Sequence, residues 1–155
     1  MNAGSPDIVV MSPEGEYLIV VEVKVDDRSV RNQNAIHQIK QIMASTGCST
    51  GLLVAGENVI LLRDSLEKFN GESIYIAGEA KLPDSLLPPP DEQWKGEPAI
   101  EFESQVQRWL EKLKLTTRMD NFPSDLINLL SEPIISLLQI GEVRSAHPRW
   151  SKTTK

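Results

Sequence analysis

The chain has 155 residues, 40% hydrophobic and 25% charged, which is ordinary globular composition and enough for one core, alone or with an appendage. Its net charge of −6 argues against strong, non-specific binding of nucleic acid by the surface as a whole, and no apolar run approaches the roughly 18 residues of a membrane span. Its single cysteine, Cys48, excludes an intrachain disulfide framework and a cysteine-based zinc site, and Met1–Ser5 has neither the charge nor the apolar stretch of a signal peptide, so a cytoplasmic protein away from membranes is expected.

Asp7–Met11 reads as a short strand, closed by a turn at Ser12-Pro13-Glu14-Gly15. Tyr17–Val25 is an almost unbroken run of β-formers, so the pair predicts a hairpin whose second strand is apolar on both faces and central in its sheet. After a polar loop over Asp26–Asn32, the spacing of Ile36, Ile39, Ile42 and Met43 predicts a helix over Asn34–Ala44, capped near Gly47. Leu52–Ala55 and Val59–Arg63 predict two strands joined by a turn at Gly56-Glu57-Asn58, and Ser73–Ala77 a further short one.

Residues 83–98 hold Pro83, Pro88, Pro89, Pro90 and Pro98 and read as an extended linker or arm. Beyond it Phe102, Val106, Trp109, Leu110 and Leu113 share one helical face, and Ser124–Ile140 is helix-like but broken or kinked at Pro133. The segment from Arg144 to Lys155 carries Arg144, Arg149, Lys152 and Lys155 with no acid. The expected organisation is an α/β core over 1–82, the linker over 83–98, a helical extension over 99–143 and a basic tail over 144–155.

Glu22 and Lys24 are the anomaly. Both lie on an otherwise apolar strand, and the two-residue period puts them on one face with Val23 on the other. Charges on a buried strand are costly unless they are paired or bind a metal. Asp7 opens the preceding strand, so an antiparallel hairpin brings it beside Glu22. Two converging carboxylates make an oxygen-rich site for a hard divalent cation.

Pro6-Asp7 followed by Glu22-Val23-Lys24 on the next strand resembles the PD-(D/E)xK signature of restriction-type and repair nucleases. The resemblance covers about residues 6–64. It implies a restriction endonuclease-like mixed β-sheet flanked by helices, here with a helical C-terminal extension. It also implies a hydrolase that cuts DNA phosphodiester bonds with Mg²⁺, or Mn²⁺ in its place. Asp7, Glu22 and the backbone carbonyl of Val23 would hold the metal, which lowers the pKa of a water and neutralises the scissile phosphate. Lys24 would position that water or stabilise the transition state. The family's helix after the signature strand often carries a glutamine, and Gln38 in His37-Gln38-Ile39-Lys40-Gln41 takes that position. The tyrosine that one branch places four residues later is replaced by Ile42.

The family usually places a helix with a further acid before the first strand, whereas here five residues precede Pro6. The helix around Glu101–Leu115, with Glu101, Glu103 and Glu111, is the candidate to fill that place, although solvated surface glutamates are the plainer reading. This departure motivates a rival expectation: a catalytically inactive member serving protein association, with homo-oligomers formed through the C-terminal helices. Gly47-Cys48-Ser49-Thr50-Gly51 matches the nucleophile-elbow pattern but runs from helix to strand, the wrong order for it. His37 and His147 have no metal-ligand spacing, and Asp26-Asp27 reads as a solvated loop.

Overall fold

The computed structural model describes residues 6–25, 33–68, 71–83, 86, 98–116, 122–131 and 134–145. Six strands form one mixed sheet: β1 (Ile8–Met11), β2 (Tyr17–Lys24), β3 (Thr50–Ala55), β4 (Asn58–Asp64), β5 (Ile74–Lys81) and β6 (Glu142–Ser145), in the order β5-β4-β3-β2-β1-β6. The β2–β3 pair is parallel and the other four pairs are antiparallel. A parallel pair needs a crossover, and α1 (Asn34–Thr46) supplies it. The remaining helices are α2 (Pro98–Leu115), α3 (Ser124–Ser131) and α4 (Ile134–Ile140).

Strand alternation sorts the apolar side chains into two layers. Ile8, Val10, Ile19, Val21, Leu52, Val54, Val59 and Leu61 pack with Phe102, Val106, Trp109, Leu110, Leu126, Leu130, Ile134 and Leu138 from α2, α3 and α4. On the opposite face Val20, Leu53, Ile60 and Leu62 pack with Ala35, Ile36, Ile39, Ile42 and Met43 of α1. The sheet is thus covered on both sides, which explains why β2 and β3 are apolar at nearly every position.

The helices over 99–143, expected as an extension, form the second layer of the core. Phe102 and Val106 are fully buried and Trp109 is 5% exposed. The apolar face that motivated association through these helices is covered by the chain's own sheet, because α2 is long enough to lie across it. Pro98, expected as the last linker residue, opens α2 instead, a position where its missing N–H costs nothing. Lys114 near the end of α2 donates to the terminal carbonyls of α4, Leu138 O at 3.1 Å and also Gly141 O, and so ties α2 to the turn before β6. The helix-like run splits into α3 and α4 around positions 132–133, so the expected Pro133 break falls outside the described residues. Most of the expected linker (87–97), the Asp26-Asp27 loop, His147 and the tail beyond Ser145 also lie outside them.

Strand β6 was not anticipated. Arg144, counted with the basic tail, lies within it and pairs with Glu142 at 2.7 Å. Just before it, Gly141 lies where a Cβ would meet Val10 Cγ1 at 2.7 Å, Met11 O at 2.8 Å and Leu18 Cδ1 at 2.9 Å. A backbone carbonyl cannot step aside without moving β1. Gly141→Ala is therefore expected to cost about 1–3 kcal/mol in urea unfolding. Gly51→Ala provides the contrast: its nearest neighbour would be the flexible Met43 Sδ at 2.6 Å, so a smaller loss is expected. Equal losses at the two positions would contradict this reading of the β1–β6 contact.

Candidate active site

The hairpin register pairs Ile8 with Val21, so Asp7 falls beside Glu22. The contacts there are specific. The Asp7 amide donates to Val21 O at 3.1 Å and to Glu22 Oε1 at 3.2 Å, and the Val23 amide donates to Asp7 Oδ2 at 2.8 Å. Asp7 thus caps the end of the hairpin where β1 has run out and β2 continues. A residue in a strand projects its N–H and C=O toward the same side. The Val23 carbonyl therefore points along the edge its amide shares with Asp7.

Glu22 and Lys24 share the face of β2 that carries Val20, which is the face covered by α1. Glu22 is only 2% exposed, while Asp7, Val23 and Lys24 are half-buried. Burial raises the Glu22 carboxyl to a pKa of about 8; the Asp7 carboxylate and a side-chain hydrogen bond with it push the same way, and Lys24 pulls it back in part. With its carboxyl raised to about 8, Glu22 holds its proton at neutral pH, so both acids ionise together there only when a further positive charge joins Lys24. An oxygen-ligating divalent cation would supply that charge. The donor set of two carboxylates and the strand carbonyl of Val23 fits such an ion's preference.

Gln38 is placed by helix geometry. Met43 Sδ and Ile39 Cδ1 approach Gly51, which pairs with Val20, so the middle of α1 lies at the level of Val20. α1 returns antiparallel to β2, and one turn toward its start the helix reaches the level of Glu22. The Lys40 and Ala44 side of α1 faces Gly71. Gln38 is on the opposite flank, toward β2 and β1, and is half-buried. Asp7, Glu22, Val23 and Lys24 thus share one corner, at the carboxyl end of β2, where open α/β sheets commonly bind ligands, and Gln38 lies on the flank of α1 turned toward β2.

The other candidates separate from this corner. His37 lies on the far flank of α1 and lines a shallow groove with Lys40, Gln41, Gly71 and Glu72. Cys48 is buried and its thiol donates to Thr50 O at 3.3 Å, in a loop that runs from helix to strand. Glu101 and Glu111 are exposed, but Glu103 is 8% exposed, contrary to the expectation that all three are solvated. Among the described residues no three His, Cys, Asp or Glu side chains group to hold a metal, so the α2 glutamates do not add a third acid to Asp7 and Glu22. What the sequence reading missed is β6, whose Ser145 pairs with Ile8, next to Asp7. Its signal, the alternation Glu142-Val143-Arg144-Ser145, is only four residues long. No family model, curated protein or solved structure matches the chain.

Proposed function

We propose that this chain is a Mg²⁺-dependent nuclease domain that hydrolyses phosphodiester bonds of DNA. The observation that carries the reading is the joining of Asp7, Glu22 and Val23 by hydrogen bonds at one strand end, with Glu22 buried and Lys24 on the same face. A bound Mg²⁺, or Mn²⁺, would supply Lewis acidity toward the scissile phosphate and the attacking water. Asp7 and Glu22 would hold it through carboxylate oxygens and Val23 through its carbonyl. The hydrogen bond from the Val23 amide fixes the Asp7 carboxylate, so the ligand is oriented before the ion arrives. Lys24 contributes a positive charge where negative charge grows on the phosphate in the transition state. Gln38, on the α1 flank that faces β2, would orient the Lys24 ammonium or the water. The restriction endonuclease-like assignment of the sheet belongs to the same proposal.

The test is cleavage of supercoiled plasmid and of single-stranded DNA with Mg²⁺ or Mn²⁺, comparing the wild type with Asp7→Asn and Lys24→Ala prepared identically. Metal-dependent cutting lost in both variants supports the nuclease and its site together. Equal cutting by all three proteins, or none by the wild type, sinks the reading.

A further inference from the structure

Strands β5 and β6 form the two edges of the sheet. An open edge invites a further strand unless it is short, charged or bulged. β6 is four residues long and carries the Glu142–Arg144 ion pair. β5 is eight residues long, and its middle is apolar and open, with Tyr75 49% and Ile76 44% exposed and Ala77 exposed beside them.

The backbone of β5 can be sorted by the side it faces. The Leu82 amide donates to Glu57 O at 2.7 Å and the Ser65 amide to Ser73 O at 3.2 Å, so Leu82 and Ser73 turn their polar groups toward β4. Alternation along the strand then turns Ala80, Gly78 and Tyr75 toward β4 as well, and Lys81, Glu79, Ile76 and Ile74 outward. The two counts meet at a bulge: Leu61 pairs with Gly78 and Leu62 with Ile76, which leaves Ala77 over. The outward residues are therefore two apart on either side of the bulge and three apart across it. The outward amides of Ile76, Glu79 and Lys81 have no partner among the described residues.

We infer that β5 pairs antiparallel with β5 of a second copy of this chain, about a two-fold axis between Ala77 and Gly78, so that two six-stranded sheets become one. A regular strand keeps its outward positions two residues apart and matches β5 on one side of the bulge only. A second β5 has the same three-residue step in the same place and matches it on both. In that register Ile76 faces Glu79 of the other copy and Ile74 faces Lys81, each pair twice by symmetry, with the bulges opposed at the axis. Facing residues exchange N–H···O bonds, except that Ile74 offers only its carbonyl, since its amide is held by Gly71 O at 3.2 Å. No like charges meet, because Glu79 and Lys81 each face an isoleucine, and the exposed Tyr75 faces Ala80. Glu72, exposed two residues before Ile74, sets an opposite charge at the strand end that Lys81 of the other copy meets. The axis is perpendicular to the sheet, so both α1 faces, and with them both Glu22–Lys24 corners, lie on one side of the dimer. The inference is independent of the nuclease reading.

Sedimentation equilibrium of the full chain over a dilution series should show the mass rise from 17.3 kDa toward twice that value. Ile76 is exposed, so substitutions there leave the monomer folded, which circular dichroism checks. Ile76→Glu sets a carboxylate opposite Glu79 of the other copy, twice per dimer, and Ile76→Lys sets an ammonium there. Ile76→Lys should therefore self-associate at least about 10-fold more tightly than Ile76→Glu, a gap that closes as salt rises. Hydrogen exchange of the wild type reads the register. The amides of Ile76, Glu79 and Lys81 should slow as concentration rises, and those of Tyr75, Gly78 and Ala80, turned to β4, should not. A wild type that keeps the monomer mass throughout overturns the inference. So do equal association constants for the two variants, which mark an apolar patch without a register, and slowed exchange that spares Ile76 and Glu79.

Discussion

Lys24→Ala is expected to keep divalent-cation binding while losing about 10²–10³-fold in cleavage rate, the usual loss when one group that stabilises transition-state charge is removed. Asp7→Asn is expected to lose both binding and cleavage. The distinction follows from the atoms. Lys24 offers only donors, so it cannot ligate a cation while protonated, and its charge opposes ion binding. Its removal should leave metal affinity equal or tighter. Asp7 offers carboxylate oxygens, one of which already accepts from the Val23 amide at 2.8 Å. Asparagine keeps an oxygen for that amide, so the hairpin end survives, but the charge that attracts the ion is gone. Alanine at this position would orphan the Val23 amide and confuse ligand loss with a folding defect costing about 1–3 kcal/mol. Calorimetric titration of Mn²⁺ into each protein, beside single-turnover cleavage, separates the two roles. If Lys24→Ala loses the metal as fully as Asp7→Asn does, Lys24 serves to hold Glu22 in place and the catalytic assignment fails.

What was legible in the sequence is what short-range geometry controls. The two-residue period put Glu22 and Lys24 on one face, and the turn at Pro13 to Gly15 put Asp7 opposite Glu22, as the register confirms. The helical spacing of α1 was visible because its buried residues sit three and four apart, and Gly47, at φ 73°, caps it as expected. What escaped was set by distant packing. Nothing local distinguishes a helix that hangs from an arm from one that covers a sheet, so α2 looked like an appendage although Phe102 is fully buried. Likewise β5 runs Ile74–Lys81, past the expected Ala77, because β4 offers it a partner along its whole length. Four-residue β6 exists because Lys114 and Gly141 deliver it to β1, contacts made across more than twenty residues of chain. The contact of Asp7 with Glu22 and Val23 was therefore readable, and the strand beside it was not.

Glu22→Gln is expected to raise the stability of the metal-free protein at pH 8.5 by a few kcal/mol while abolishing metal-dependent activity. Glu22 is raised to about 8 by burial and by Asp7, so the folded protein holds a proton that the unfolded chain gives up at the ordinary carboxylate value. The sign of the linkage is then fixed. Below the ordinary value both states are protonated and the group costs nothing as an acid. Between that value and about 8 the unfolded state loses its proton first, so stability falls as pH rises. Above this window the whole penalty is in force, at about 1.4 kcal/mol per unit of displacement. Glutamine removes the titration, keeps an oxygen for the Asp7 amide and gives Asp7 an N–H in place of the carboxyl proton. In EDTA the stability difference between variant and wild type should therefore grow from pH 5 to pH 8.5 and then level off. Mg²⁺ should stabilise the wild type most at high pH, where it meets two ionised carboxylates, and should leave Glu22→Gln almost unmoved. Urea unfolding at four pH values, with and without Mg²⁺, measures all of this. A variant less stable than the wild type at pH 8.5 in EDTA would mean that Glu22 is ionised and well paired with Lys24. The corner would then be a satisfied ion pair, with no excess charge left for a metal to neutralise.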